Sequence, residues 1–350
     1  MLELIKNALW SPLTVINILL IGIVILAKTR FNTLFKLPSI LRDTIFSTRR
    51  NRRAFSLMCT SLGGTIGVGN AIGVAGAICE GGAGAVCWIA IAGIIGMAIK
   101  YAEVYFSMIY NGPIMYLEKS IGSKALSTIY AFLCVGVSLG MGNMAQTRSA
   151  IASVSGILPI SGTMVAFFIA IAFLYVAKGG IEKIRKFSEI AVPLVSLMYV
   201  LLLGLILIHE REYLGTALKT VIKGSGVIVG IKWSLIKKGI TIGFSKAIFS
   251  SEAGLGSSGF SHMESKIPPK EQAKWGVVEV LVDSLICIMT ALSILVSENE
   301  VTGLPETHIT RGVFTSSYGR FGELFFCLSM LVFAYASIIC WYYTRTCAIK

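Results

Sequence analysis

From Thr60 to Glu80 the chain reads TSLGGTIGVGNAIGVAGAICE, apolar enough to enter a bilayer yet with glycine at positions 63, 64, 67, 69, 73 and 76 and one side-chain amide, Asn70. A smooth membrane helix has no use for so many positions without a Cβ. Glycine lets the backbone leave helical geometry or lets another group approach it closely. Non-helical backbone survives at membrane depth only where it faces protein or a cavity. Gly63 to Gly73 therefore reads as a discontinuous helix beside a polar site. A straight glycine-rich helix packed through small residues is the alternative.

The 350 residues are 55% hydrophobic and only 14% charged, well below the quarter that is usual for soluble domains. Apolar runs at 13–27, 60–80, 85–108, 127–149, 163–177, 189–208, 233–260, 275–296 and 324–342 predict nine spans. The run at 13–27 lacks a small-residue cleavage site and reads as a retained helix. A net charge of +13 would suggest nucleic acid in a soluble chain. Here Lys28, Arg30, Lys36, Arg42, Arg49, Arg50, Arg52 and Arg53 crowd one short loop, which marks that loop as cytoplasmic. The predicted topology has the N-terminus outside, loop 28–53 inside and the C-terminus inside, with no nucleic-acid partner.

Few side chains in the spans carry chemistry. The eight cysteines form no CxxC pair and read as buried thiols. His209, His262 and His308 give no metal-ligand spacing. Lys100 and Glu103, late in their run, read as marking its cytoplasmic end, paired or snorkelling. Asn143 and Gln146 are three apart on one helical face, and either bond to a neighbouring helix or line a polar cavity. Residues 209–231 suggest an amphipathic helix at the outer face. Asp283 stands inside the eighth run. In the seventh, Glu252 is followed by Gly254, Gly256 and Gly259, too polar for a simple span and suited to a second break. Glu252 could be a cation ligand, an ammonium partner or a support for the break. Two breaks entered in opposite directions are what an inverted repeat predicts. Free N–H groups at one half-helix end suit a carboxylate and free C=O groups at the other suit a monovalent cation. Neither GxSxG nor a phosphate-binding βαβ context is present, which argues against an enzyme.

Three blocks resemble the alanine or glycine:cation symporter family: GVGNAIGV at Gly67–Val74 with GGAGAVCWIAIAGIIGMAIKYAE at Gly81–Glu103, GNMAQ at Gly142–Gln146, and FSSEAGLGSSGFSH at Phe249–His262. The resemblance implies an all-α, polytopic, LeuT-like inverted-repeat fold with an extra N-terminal helix. It divides one transporter domain into 1–53 (extra helix and basic loop), 54–208 (first repeat) and 232–350 (second repeat). It implies symport of alanine or glycine across the cell membrane, with sodium as coupling ion, no cofactor, and proton coupling in some members.

Matched by position, the resemblance places Gly67, Val68, Gly69 and Asn70 at the first break, with sodium near Gly67 and Asn70. Asn143 and Gln146 then face the same cavity, and Glu252, Gly254 and Gly256 lie opposite. Two departures stand out. Val68 replaces the family's common threonine, and Lys246, Ala247 and Ser251 depart from its RGLFSNEAG pattern. The family also continues beyond the point corresponding to Lys350, so the last two core helices are expected to be missing. A non-transporting relative that keeps part of the fold is therefore the alternative to a symporter, and an ion channel a weaker one.

Overall fold

The computed structural model describes residues 12–47, 51–155, 157–226, 233–297 and 304–349. Arg49, Arg50 and Lys350, which entered the sequence argument, lie outside them, as do Gly230, Lys232, Glu298 and Glu300. The regular structure of the described residues is helix, apart from a single bridge between Ser155 and Leu158, and each apolar run falls largely on helix. In chain order these are α1 (Pro12–Lys28), α2 (Leu37–Thr44), α3 (Arg52–Thr65), α4 (Val74–Gly81), α5 (Ala85–Tyr110), α6 (Pro113–Ile121), α7 (Lys124–Leu139), α8 (Gln146–Val154), α9 (Gly162–Ala177), α10 (Gly180–His209), α11 (Arg211–Ser225), α12 (Trp233–Ser251), α13 (Pro269–Val296) and α14 (Glu306–Ile349). Wider π turns join α3 to α4 at Gly69–Gly73 and α7 to α8 at Gly140–Ala145.

Among the described residues five helices are long and apolar enough to cross a membrane: α5, the continuous α7–α8 unit, α10, α13 and α14, the last kinked at Gly319. A sixth span is the pair Arg52–Thr65 and Gly69–Gly81, bent by 52° at its break. Leu13–Lys28 and Gly162–Ala177 are apolar but shorter. The chain is a multi-pass membrane protein.

Burial follows the logic of a bilayer solvent. Phe132 and Leu133 on α7, Phe167 and Phe168 on α9, and Leu194, Leu197, Leu201 and Leu205 on α10 all face outward. Meanwhile Lys100, His262, Glu279 and Asp283 are buried. In water this distribution would be inverted; in lipid, charged groups turn to the interior and apolar side chains cover the outside.

Helix α5 packs along α13 and α12, and α10 packs on α3 and α14. Asn51 caps α3 by accepting from the Ala54 N–H at 3.1 Å. Just beyond the cap, Arg52 pairs with Glu189 of α10 at 2.7 Å. At the other end of the first span Gly84 lies against the backbone of Gly224, an approach that a side chain at either position would prevent. Trp88 donates from Nε1 to the Ser225 carbonyl beside that contact, at 3.1 Å, and so packs on α11. That helix buries Ala217, Val221 and Ser225, a stripe at four-residue spacing, as expected of an amphipathic segment. Outside the spans, Lys274 bonds Asp43 of α2 at 3.0 Å, and this contact holds the Asp43 carboxyl below the ordinary carboxylate range.

Candidate functional site

The first break begins where α3 stops. Ile66 leaves helical geometry at ψ 87°, and the Gly67 N–H turns back to the Thr65 carbonyl. The Val68 N–H then has no helical carbonyl to meet and donates to Gln146 Oε1 at 3.3 Å. A Cβ on Gly67 would stand 2.9 Å from that same oxygen, so glycine here makes room for the Gln146 amide. After the π turn the chain resumes as α4 in its new direction.

Asn70 lies in that turn and is 1% exposed. Its Nδ2 donates to Asp283 Oδ1 of α13 at 2.6 Å, and Ser250 at the end of α12 donates to the same oxygen at 2.9 Å. Asn70 Oδ1 is buried with no partner. An amide N–H and a hydroxyl thus meet on one carboxylate from three segments, and the amide oxygen beside them is left free. Such hard oxygen donors suit a hard cation better than any soft metal. Thr310 of α14 caps the Ala71 carbonyl in the same turn at 3.0 Å.

The second break is held differently. Glu252 has φ 53°, Gly254 φ 97° and Gly256 φ 75°, all in the left-handed region that ends a helix. Their freed N–H groups are already used: those of Gly254 and Gly256 both donate to Glu103 Oε1, each at 2.9 Å. Tyr130 of α7 donates to the Leu255 carbonyl at 2.8 Å. One carboxylate from α5 and one phenol from α7 therefore fix the break. Glu252 itself accepts from Ser257 through Oε2, while Oε1 is buried without a partner.

These two glycines differ in a way that can be measured. A Cβ on Gly256 would come 2.8 Å from Tyr130 Oη and 3.2 Å from Tyr116 Oη, whereas one on Gly254 would meet open space. Gly256→Ala is expected to lose about 1–3 kcal/mol through backbone strain and more through the clash. Gly254→Ala is expected to lose only the strain. Thermal unfolding in detergent should rank wild type above Gly254→Ala and Gly254→Ala above Gly256→Ala; equal midpoints for the two variants would contradict this geometry.

Below the second break lies a fully buried ionic cluster. Lys100 donates to Ser258 Oγ at 2.6 Å and pairs with Glu279 at 3.3 Å. Glu279 also accepts from Ser258 at 2.8 Å and meets His262 Nε2 at 3.1 Å, and His262 Nδ1 meets Gln272 Nε2 at 2.7 Å. Lys100 is therefore no snorkelling end marker, since α5 runs on to Tyr110 and the ammonium faces the interior. Glu103, likewise expected at a helix end, caps the second break.

Of the residues expected at the site, Gly67, Val68, Asn70 and Gln146 come together, and Gly69 opens the π turn beside them with open space where its Cβ would be. Asn143 does not join them. It is exposed, takes a hydrogen bond from Thr147 at 3.4 Å, and lines a separate cavity of about 110 Å³ with Phe173, Tyr342 and Arg345. The π turn at Gly140–Ala145 adds a residue to the local winding, so Asn143 and Gln146 do not share a face. None of Asp283, Ser250, Glu279 and Lys100 was expected at the site. Their signal was there: Glu279, Asp283 and Cys287 repeat at four-residue spacing inside an apolar run, a polar stripe pointing at the bundle interior.

The whole chain, residues 1–350, matches the sequence model of the sodium:alanine symporter family. The chain belongs to that family. The sodium/alanine symporter AgcS of Methanococcus maripaludis is 30% identical over 374 residues, covering 98% of this symporter and 81% of AgcS. A probable sodium/glutamine symporter, GlnT of Bacillus subtilis, is 26% identical over 357 residues, covering 97% and 74%. Among solved structures, MhsT in complex with L-phenylalanine superposes with a TM-score of 0.62 at 16% identity, over 84% of this chain and 76% of that one. This likeness shows a LeuT-like fold. The protein is a membrane symporter and not an enzyme, and sodium-coupled symport of a small amino acid is the activity that its family assigns to it.

Proposed function

We propose that this symporter carries a small neutral amino acid, alanine or glycine, together with sodium, and that both bind at the first break. The observation that carries the reading is the buried Asp283 carboxylate, on which the Asn70 amide and the Ser250 hydroxyl meet, beside an Asn70 Oδ1 left without a partner. Sodium in this place supplies the missing partner of the amide oxygen and neutralises the carboxylate.

The amino acid takes the neighbouring position. Gln146 Oε1 now occupies the Val68 N–H, where a substrate carboxylate oxygen would be received, and its amide can turn to the substrate instead. Trp341 packs against Gly142, four residues before Gln146 on the same π turn and helix, and its bulk near the site favours a substrate with a short side chain. Gly254 and Gly256 shape the opposite wall without lending their N–H groups, which Glu103 holds. The 52° bend of the first span and the left-handed turn of the second are the places where half-helices can rock for alternating access.

The repeats at 54–208 and from 232 onward, with 1–53 as an added helix and loop, belong to the same proposal. So does the orientation, supported by the basic residues of loop 28–53: N-terminus outside, C-terminus in the cytoplasm. In proteoliposomes with an imposed inward sodium gradient, labelled alanine or glycine should accumulate, and collapsing the gradient should stop accumulation. Asn70→Ala should suppress the sodium-dependent part while the protein stays folded. Uptake of both amino acids that ignores the gradient would overturn the proposal.

A further inference from the structure

Helix α1 turns Leu20, Ile21, Ile23 and Val24 outward and then ends at Lys28, so the apolar slab stops within about one turn of that base. Arg30 and Phe31 take left-handed backbone, at φ 51° and 54°, and bend the chain away from α1. It continues through a short helical turn at Asn32–Phe35 into α2. Helix α2 is level with the first turns of α13, because Lys274 reaches Asp43 at 3.0 Å. The segment therefore lies at the edge of the bilayer.

Its side chains divide accordingly. Helix α2 buries Ile40 and Thr44, four apart, and leaves Arg42 exposed on the other side. Phe35 is 80% exposed and Phe46 73%, and Phe31 lies beside Phe35 with ring centroids 6.3 Å apart. Rings left bare to this extent in water are a liability. Next to a bilayer they enter the boundary between headgroups and acyl chains, as in interfacial amphipathic segments.

The same surface carries charge without counter-charge. Lys28, Arg30, Lys36 and Arg42 are all exposed, and the only acid between Lys28 and Ser47 is Asp43. Lys274 takes that carboxylate at 3.0 Å, whereas Arg42 stands 3.9 Å from it. Among the described residues Lys28, Arg30 and Lys36 are in no ion pair, while Arg52 and Arg53 further on meet Glu189 and Glu264. Bases and rings on one juxtamembrane surface suit a partner that offers phosphates above and hydrocarbon below. Nucleic acid or an acidic protein offers no hydrocarbon layer for the rings.

We propose that Arg30, Lys36 and Arg42, with Phe35 and Phe46, form a binding surface for anionic phospholipids, the bases holding headgroup phosphates and the rings entering the acyl layer beside them. The proposed orientation makes the leaflet the cytoplasmic one. Through the Asp43–Lys274 bond the bound lipid braces α13, and the chain from α2 leads directly to Asn51, the cap of α3.

The test is thermal unfolding of the purified protein in phosphatidylcholine nanodiscs with a rising share of phosphatidylglycerol. This reading needs neither transport nor a defined orientation, so its failure leaves the symport proposal standing. The wild-type midpoint should rise with the anionic share, and added salt should shrink the gain. Lys36→Gln should raise the share needed for half the gain by about fivefold. Arg30→Gln, Lys36→Gln and Arg42→Gln combined, worth about a hundredfold by the same scale, should abolish the gain. Phe35→Ser with Phe46→Ser should weaken it with every charge in place. Lys219→Gln with Lys223→Gln, two exposed bases of α11, should leave it unchanged. A wild-type midpoint indifferent to phosphatidylglycerol overturns the proposal, as does a triple variant that responds like wild type. Equal loss in the α11 variant would mean attraction by overall charge and also overturns it, and an unchanged phenylalanine variant removes the seating of the rings. Retention of a polyglutamate peptide that the triple variant loses, with no gain from phosphatidylglycerol, would give the surface to an acidic protein instead.

Discussion

Lys100→Met is expected to lower the stability of the folded protein by about 3–5 kcal/mol, the cost of stranding a buried charge whose partner has been removed. Glu279 is 0% exposed and would be left facing Ser258 and His262, neither of which replaces the ammonium. Lys100→Met combined with Glu279→Gln removes both charges while keeping an acceptor for Ser258, and should recover most of the loss. Thermal unfolding of the three proteins in the same detergent checks this. A double variant as unstable as the single would mean that the ammonium matters for its packing along α5 and not for the pair. The effect is global because the cluster joins α5, the second break and α13, and through Gln272 Nε2 reaches the Ala54 carbonyl of α3 at 3.5 Å.

The next largest effect falls on ion dependence. Asp283→Asn keeps the volume and an oxygen acceptor but removes the charge to which Asn70 and Ser250 donate. A charge-assisted contact is worth about 1.5–3 kcal/mol. The sodium concentration for half-maximal uptake should therefore rise by about tenfold or more, with a smaller change in the alanine concentration needed at saturating sodium. Uptake measured across a sodium series in proteoliposomes reads both. An unchanged sodium series would exclude Asp283 as part of the cation's surroundings.

Both interruptions could be read from the chain because glycine leaves a mark that no apolar helix needs: 63 to 73 in one case, 254 to 259 in the other. Asn70 and Glu252 were legible for the same reason, as lone polar groups beside those glycines. Their partners were not. Asn70 meets Asp283 across 213 positions of sequence and Lys100 meets Ser258 across 158, distances over which periodicity says nothing. Lys100 also sat where a span of ordinary length would end, so the extra turns that carry α5 to Tyr110 hid its burial. Asn143 misled for a local reason. Three-residue spacing means a shared face only in a regular α-helix, and nothing in GMGNMA announces the wider winding that turns its side chain outward.

The grip of Glu103 on the second interruption has a consequence for the whole work cycle. Because the carboxylate of a neighbouring helix already satisfies the loose amides, the gap in that span stays open whether or not any cargo is aboard. The unladen return stroke then begins without rewinding a turn of helix or remaking its ladder, and what must reverse between deliveries is the tilt of rigid pieces.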